Sequence, residues 1–222
     1  MEIRATFHKR LRDIQEEVIM MGNMVGKAMI RSIDALKSRD TDLANQIIAD
    51  DQKINQTRFD IEEKCVQLIA TQQPMARDLR MIVAVLNIII ELERIGDYGV
   101  GIARIVIMIG DEPPLKPLID VPRMAEKAVD MLQRSLDTFV NRDVEAATKI
   151  ITEDDLIDSL YDQVYRELLV FMMEDPRTIT RATRLMWVAH NLERAADRVT
   201  NICERVVFVI TGKMEELGTS RY

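Results

Sequence analysis

The sequence repeats itself at a spacing of about 100 residues, and this repeat limits the fold more than any other feature. Ser32 to Ile54 aligns with Ser135 to Ile157 at an offset of 103. The alignment matches Ser32/Ser135, Asp34/Asp137, Arg39/Arg142, Asp40/Asp143, Ala44/Ala147, Ile47/Ile150, Ile48/Ile151, Asp51/Asp154 and Ile54/Ile157. Further on, Leu92-Glu93-Arg94-Ile95-Gly96-Asp97 returns as Leu192-Glu193-Arg194-Ala195-Ala196-Asp197 at an offset of 100. The three-residue difference falls around Pro74 and Pro176, in connections where a change of length costs little. A chain of 222 residues built this way is expected to be two copies of one unit, each able to bury a core.

The period inside the repeat is helical. Phe7, Leu11, Ile14, Val18, Met21, Val25, Met29, Ile33 and Leu36 recur at the 3.6-residue spacing of an amphipathic helix from Thr6 to Leu36. A second helix is expected from the turn at 38–42 to about Thr71, and a third from near Met75 to about Ile109, stopped by Gly110. Residues 81–109 are rich in β-branched side chains, but no turn signal interrupts them, and that length reads as helix. Gly110 to Pro122 holds four prolines and is the expected linker. The pattern then restarts, with helices over Met124–Val140 and Val144–Met173. A last helix is capped by Asp175, opened by Pro176 and ends at Ile210, before a frayed tail at 218–222. The expected class is all-α: two tandem three-helix bundles, 1–110 and 123–222, joined by 111–122.

Each copy of the later motif sets a Glu and an Asp four residues apart inside an apolar run. On a helix that spacing stacks both carboxylates on one face. The repeat exposes a second polar pair, Asp51 with Asn55 and its counterpart Asp154 with Asp158. Asn55 and Glu93 each lie 19 residues from Pro74, and Asp51 and Asp97 each lie 23. Equal counts from a hairpin centre mean equal height on antiparallel helices. Each unit should therefore gather an oxygen cluster between two facing helices: Asp51, Asn55, Glu93 and Asp97 in the first, Asp154, Asp158, Glu193 and Asp197 in the second. Acids so placed must hold protons or a cation, and hard oxygen donors suit Mg²⁺, Ca²⁺, Mn²⁺ or iron. Asn201 and Glu204 continue the same face beyond Asp197, where the first unit has Gly101 and Arg104, so the second site should bind cations more strongly. The plainer alternatives are a solvated acidic face, or neutralisation by Arg94 and Arg194 with no metal.

Other chemistry is thin. His190 could reach the face of Glu193, but the chain has only two histidines, and the Glu-x-x-His of di-iron bundles is absent. Cys65 and Cys203 stand alone, as in a reducing compartment. The 14 methionines fall mostly at core positions. No phosphate-cradling Gly loop, nucleophile elbow or zinc spacing occurs. A net charge of −7 argues against nucleic acid as a general partner. The N-terminus lacks the apolar stretch of a secretory signal, and the longest uncharged apolar run, Met81 to Ile90, is too short to cross a bilayer. A soluble, cytoplasmic protein is expected.

Gln73-Pro74-Met75-Ala76-Arg77-Asp78-Leu79-Arg80, Leu92 to Tyr98, and Asn191-Leu-Glu-Arg-Ala-Ala-Asp-Arg with Thr200-Asn201-Ile202 resemble the phosphate-uptake regulator (PhoU) family. The resemblance spans essentially the whole chain, duplication included. It implies two three-helix bundles with metal (Fe, Mn, Zn or Mg) on the paired acidic motifs. It implies a homodimer that restrains the phosphate-starvation response, acting as an adaptor between the phosphate ABC transporter and a membrane-bound sensor histidine kinase. It also implies a protein that is no enzyme and meets the membrane only through other proteins. The chain departs from the family pattern at Asn55, where an acid is expected, at Gly101, where Asn is usual, and at Arg198, where His is frequent. Arg77, Asp78 and Arg80 are candidate partner contacts, or equally a solvated helix start. The rival readings are a carboxylate-bridged iron enzyme or store, and a metal-free helical scaffold.

Overall fold

The computed structural model describes residues 2–213 and Leu217, with side chains from Ala5 onward; the tail at 218–222 lies outside the described residues. Six helices account for almost all of it: α1 (Glu2–Ser38), α2 (Thr41–Gln72), α3 (Ala76–Ile109), α4 (Asp120–Asn141), α5 (Val144–Glu174) and α6 (Ile179–Thr211). Among the described residues there is no strand, and no helix is long and apolar enough to cross a membrane. The β-branched stretch of α3 is helix throughout. Most of its Val and Ile side chains are buried against neighbouring helices, which outweighs their weak helix propensity.

The duplication is visible in backbone detail. Arg39 and Arg142 both take the left-handed conformation, with φ 57° and 59°. The next residue's amide then reaches back to the preceding helix, Asp40 N to Ala35 O at 3.0 Å and Asp143 N to Thr138 O at 3.1 Å. Each aspartate goes on to cap the following helix, Asp40 accepting from Leu43 N at 2.8 Å and Asp143 from Ala146 N at 3.0 Å. The second connection differs between units. Residues 73–75 join α2 to α3, whereas Asp175 leads straight into a 3₁₀ turn, Pro176–Thr178, that opens α6. The expected shortening lies there.

One boundary moves. The linker was expected to run to Pro122, yet α4 begins at Asp120. Proline in a first helical turn forfeits only an amide that has no intrahelical acceptor, so Pro122 sits inside the first turn of α4 and does not delay it. The remaining segment is tied down by Arg39 to the Asp111 carbonyl, Arg181 to the Pro113 carbonyl, Arg184 to Glu112, and Lys116 to Glu167.

The two bundles share one continuous apolar core, with α3 and α6 as its inner layer. These helices run antiparallel across the boundary between units. The Arg80 guanidinium lies 3.5 Å from where a Cβ on Gly212 would sit, Asn201 Nδ2 donates to Glu91 Oε2 at 3.3 Å, and Asn191 Oδ1 lies 3.0 Å from a Cβ position on Gly101. Each advance along α3 thus meets an equal retreat along α6. The offset of 100 turns the Glu91–Asn201 contact into Asn191–Gly101, so the same contact is made twice with the roles exchanged. Glycine at 101 leaves the room that Asn191 fills. On the flank, Gly22 and Gly26 of α1 admit Leu136 and Val129 of α4.

Candidate functional site

Both acidic clusters form between the helices the hairpin register predicts. In the first unit Gly96 lets α3 approach α2 closely: a Cβ there would meet Ile54 Cδ1 at 3.5 Å and Asp51 Oδ1 at 3.6 Å. Asp51 Oδ2 accepts from Asn55 Nδ2 at 2.9 Å, while Oδ1 is buried with no partner. Burial and the Asp97 charge push the Asp51 carboxyl above its ordinary range, against the pull of Asn55 and Arg104. Glu93 is pushed up by burial and Asp97, and Arg58 draws it back, with Nη1 at 3.5 Å from Oε1.

The second cluster is buried more deeply. Glu193 is 6% exposed, and its Oε2 has no hydrogen bond. His190 Nδ1 stands 3.6 Å from that oxygen, beyond hydrogen-bond reach. Burial first, and then Asp197, drive Glu193 up to about 7, with Arg194 opposing. Asp154 also rises to about 7, through burial and the charges of Asp158, Asp197 and Glu193, and its Oδ1 is a second buried oxygen without a partner. Asp197 is pushed up by burial and held back by Arg194, whose Nη1 lies 2.8 Å from Oδ2. His190 is pushed down by burial and by Arg194, against the pull of Asp197.

The structure therefore brings together Asp51, Asn55, Glu93 and Asp97, and likewise Asp154, Asp158, Glu193 and Asp197. It engages Asn201 and Glu204 elsewhere: Asn201 with Glu91 of α3, and Glu204 Oε1 with the amide of Leu217 at 2.8 Å. The ion-pair alternative divides. Arg194 does neutralise its own cluster, but Arg94 turns to Glu91. Arg80, a candidate partner contact, lies over the C-terminal end of α6, where a cation meets the negative end of the helix dipole.

The acids are close enough to perturb one another, yet among the described residues no three His, Cys, Asp or Glu side chains converge into a group that could hold a metal ion. The donor set is nonetheless the hard-oxygen set a divalent cation takes. Partnerless buried oxygens on Asp51, Asp154 and Glu193 are what a missing positive charge leaves behind.

Two residues that matter here carry no motif in the sequence. Glu91, one position before the acidic motif, faces Arg94, Arg198 and Asn201 and links α3 to α6. Arg58, one turn beyond Asn55, reaches Glu93. Each stands one position or one turn beyond a motif residue, and that adjacency was the available signal.

The model of the PhoU domain matches residues 18–106 and 121–206, one copy per bundle. The phosphate-specific transport system accessory protein PhoU homolog of Aquifex aeolicus is 38% identical over 206 residues, which make up 93% of each chain. The crystal structure of PhoU from Pseudomonas aeruginosa superposes with a TM-score of 0.88 at 35% identity, covering 93% of this chain and 100% of that one. The phosphate transport system regulatory protein PhoU from Streptococcus pneumoniae gives 0.87 at 30% identity, over 94% of this chain and 99% of its own.

Proposed function

The chain belongs to the PhoU family, and on that premise we propose that it is a cytoplasmic adaptor of phosphate uptake. It restrains the phosphate-starvation response by linking the phosphate ABC transporter to a membrane-bound sensor histidine kinase, and it catalyses no reaction. The observation that carries this reading is the match of both domains, over nearly full length, to relatives described as accessory or regulatory proteins of phosphate transport. Exposed apolar side chains at the two hairpin ends, Met75 and Leu79 in one unit and Val170, Met173 and Ile179 in the other, supply surface for protein partners. Deleting the gene should switch on a phosphate-starvation reporter in phosphate-rich medium, and the intact chain should silence it and co-purify with the transporter. Unchanged reporter output on deletion would sink the proposal.

Metal is the second part of the reading. A divalent or iron-type cation (Fe, Mn, Zn or Mg) would sit on the second cluster, where it would offset the charge that Asp154 and Glu193 otherwise shed by taking up protons. Protein purified without chelator should contain metal that a Glu193→Gln/Asp197→Asn variant lacks. Equal metal in the two, or none in either, would refute it. A self-paired homodimer, the remaining part of the proposal, should elute at twice the chain mass of 25.6 kDa.

A further inference from the structure

Between α1 and α2 the first unit holds a small cavity of about 190 Å³. Its floor is apolar, formed by the buried side chains of Ile47, Ile54 and Val100, and its walls carry three cations, Lys27, Arg31 and Lys53. Two acids share the lining. Asp51 is turned towards α3, with Oδ2 held by Asn55 and Oδ1 beside Gly96. Asp50 is the acid that meets the cations, at 2.8 Å from Arg31 Nη1 and 2.8 Å from Lys53 Nζ. It reaches two of the three and leaves Lys27 over. Among the described residues Arg31 donates through Nη1 alone, so the rest of its fork is uncommitted.

The second unit closes the same groove with its own residues. Glu153 stands in place of Asp50 and, one methylene longer, takes Arg134 at both ends of the fork, Nη1 to Oε1 at 2.9 Å and Nη2 to Oε2. Asp130 stands in place of Lys27 and accepts from Arg134 Nε at 3.0 Å. Leu156 stands in place of Lys53. Carboxylates thus engage every edge of that guanidinium, and two of the three cations have gone.

We propose that the cavity of the first unit binds a tetrahedral oxyanion, inorganic phosphate. The free edge of Arg31 suits two phosphate oxygens, and Lys27 and Lys53 add point charges. The apolar floor keeps water away and strengthens each of these contacts. The volume lies below the roughly 300–1,000 Å³ of ordinary small-molecule pockets, which suits a bare ion and not a nucleotide. Asp50 is the resident competitor: its side chain is 41% exposed, so an arriving anion can turn it out to solvent and take over Arg31 and Lys53. The choice of phosphate rests on the phosphate-uptake reading above; the oxyanion site rests on the cavity. The adaptor then reads phosphate directly, through the contact that pins α1 to α2.

Titration calorimetry of the metal-free full chain with inorganic phosphate tests the site. Wild type should take one equivalent. Lys27→Asp/Lys53→Leu, which installs the second unit's residues at two exposed positions, should weaken binding at least about 100-fold. Asp50→Asn should tighten it about tenfold, because the competing carboxylate is gone; loss of a merely structural ion pair would bring no such gain. Lys149→Ala, in the matching groove of the second unit, should leave phosphate binding unchanged. AMP, which carries the same group on a body too large for the cavity, should bind more weakly than phosphate. No saturable phosphate binding in wild type would overturn the proposal. So would full binding in the double variant, weaker binding in Asp50→Asn with its helical circular dichroism intact, or AMP binding tighter than phosphate. The gene-deletion test above reads the adaptor role alone, so the site and that role fail separately.

Discussion

Raising the pH should destabilise the metal-free protein, against the usual behaviour of buried carboxylates held by ion pairs. Asp154 and Glu193 titrate near 7 in the folded chain, against ordinary values of 3.8 and 4.5. Between about pH 4.5 and 7 the native state keeps protons that the unfolded state has released. Stability therefore falls as pH rises through that window and levels off above it. For Glu193 alone the difference corresponds to about 3 kcal/mol. Part of the rise at Asp154 comes from Glu193 itself, so the two do not add. The pair therefore falls between the larger single value and the sum, at about 5 kcal/mol, which for a chain of this size lowers the melting midpoint by about 10–20 °C. Asp50 and Glu153 set the opposite limb. Arg31 and Arg134 hold them near 2, so their stabilisation is full above the ordinary carboxylate range and is lost as pH falls towards 2. Melting curves in chelator from pH 4 to 8 should peak near pH 5. Glu193→Gln should raise the midpoint at pH 8 and remove roughly half of the decline, and Mn²⁺ at 100 times its Kd should return about 3 kcal/mol to wild type. A midpoint that is flat from pH 5.5 to 8, or a Glu193→Gln protein that melts lower at pH 8, would refute the reasoning.

Three further outcomes follow from packing. A Cβ on Gly22 would lie 2.1 Å from Leu136 Cδ1, in the seam between α1 and α4, so Gly22→Ala should cost about 1–2 kcal/mol in denaturant unfolding. Gly26→Ala meets Val129 only at 3.4 Å and should gain about 0.5 kcal/mol from helix propensity; equal effects at the two positions would contradict the seam geometry. Phe139, 1% exposed, should cost about 3–5 kcal/mol when cut to Ala. Asp40→Ala and Asp143→Ala should each cost about 1 kcal/mol, and by similar amounts, because both cap the same turn.

Regular structure and the acidic pairing were legible because both depend on periodicity. The core positions of α1 follow the 3.6-residue spacing, and the helix stop at Gly110 coincides with the observed end of α3. Counting residues from Pro74 placed Asp51 opposite Asp97 and Asn55 opposite Glu93, and the charge of Asp97 does act on Asp51 and Glu93. What escaped was set by contacts between units. Asn201 continues the acidic face by spacing, but at that height α6 meets α3, and Glu91 offers its amide an acceptor. Gly101 looked like a weakened ligand position; its lack of a side chain is what admits Asn191. Helical periodicity says which face is apolar and not which neighbour covers it, so the antiparallel docking of α3 on α6 was beyond its reach. Arg58 was missed for a related reason: a cation one turn from an acid reads as a solvated pair until its burial is known.

The exchange of roles between Glu91–Asn201 and Asn191–Gly101 places an approximate two-fold axis midway along α3 and α6. An interface of this kind is isologous, the form a symmetric homodimer takes. Each half of the chain carries one face of it, with apolar residues that stay dry only when the other half is docked. A half-length ancestor would have met that need by pairing with itself. Gene fusion then made the dimer permanent and freed the two halves to differ, and Lys27 against Asp130 records one such difference.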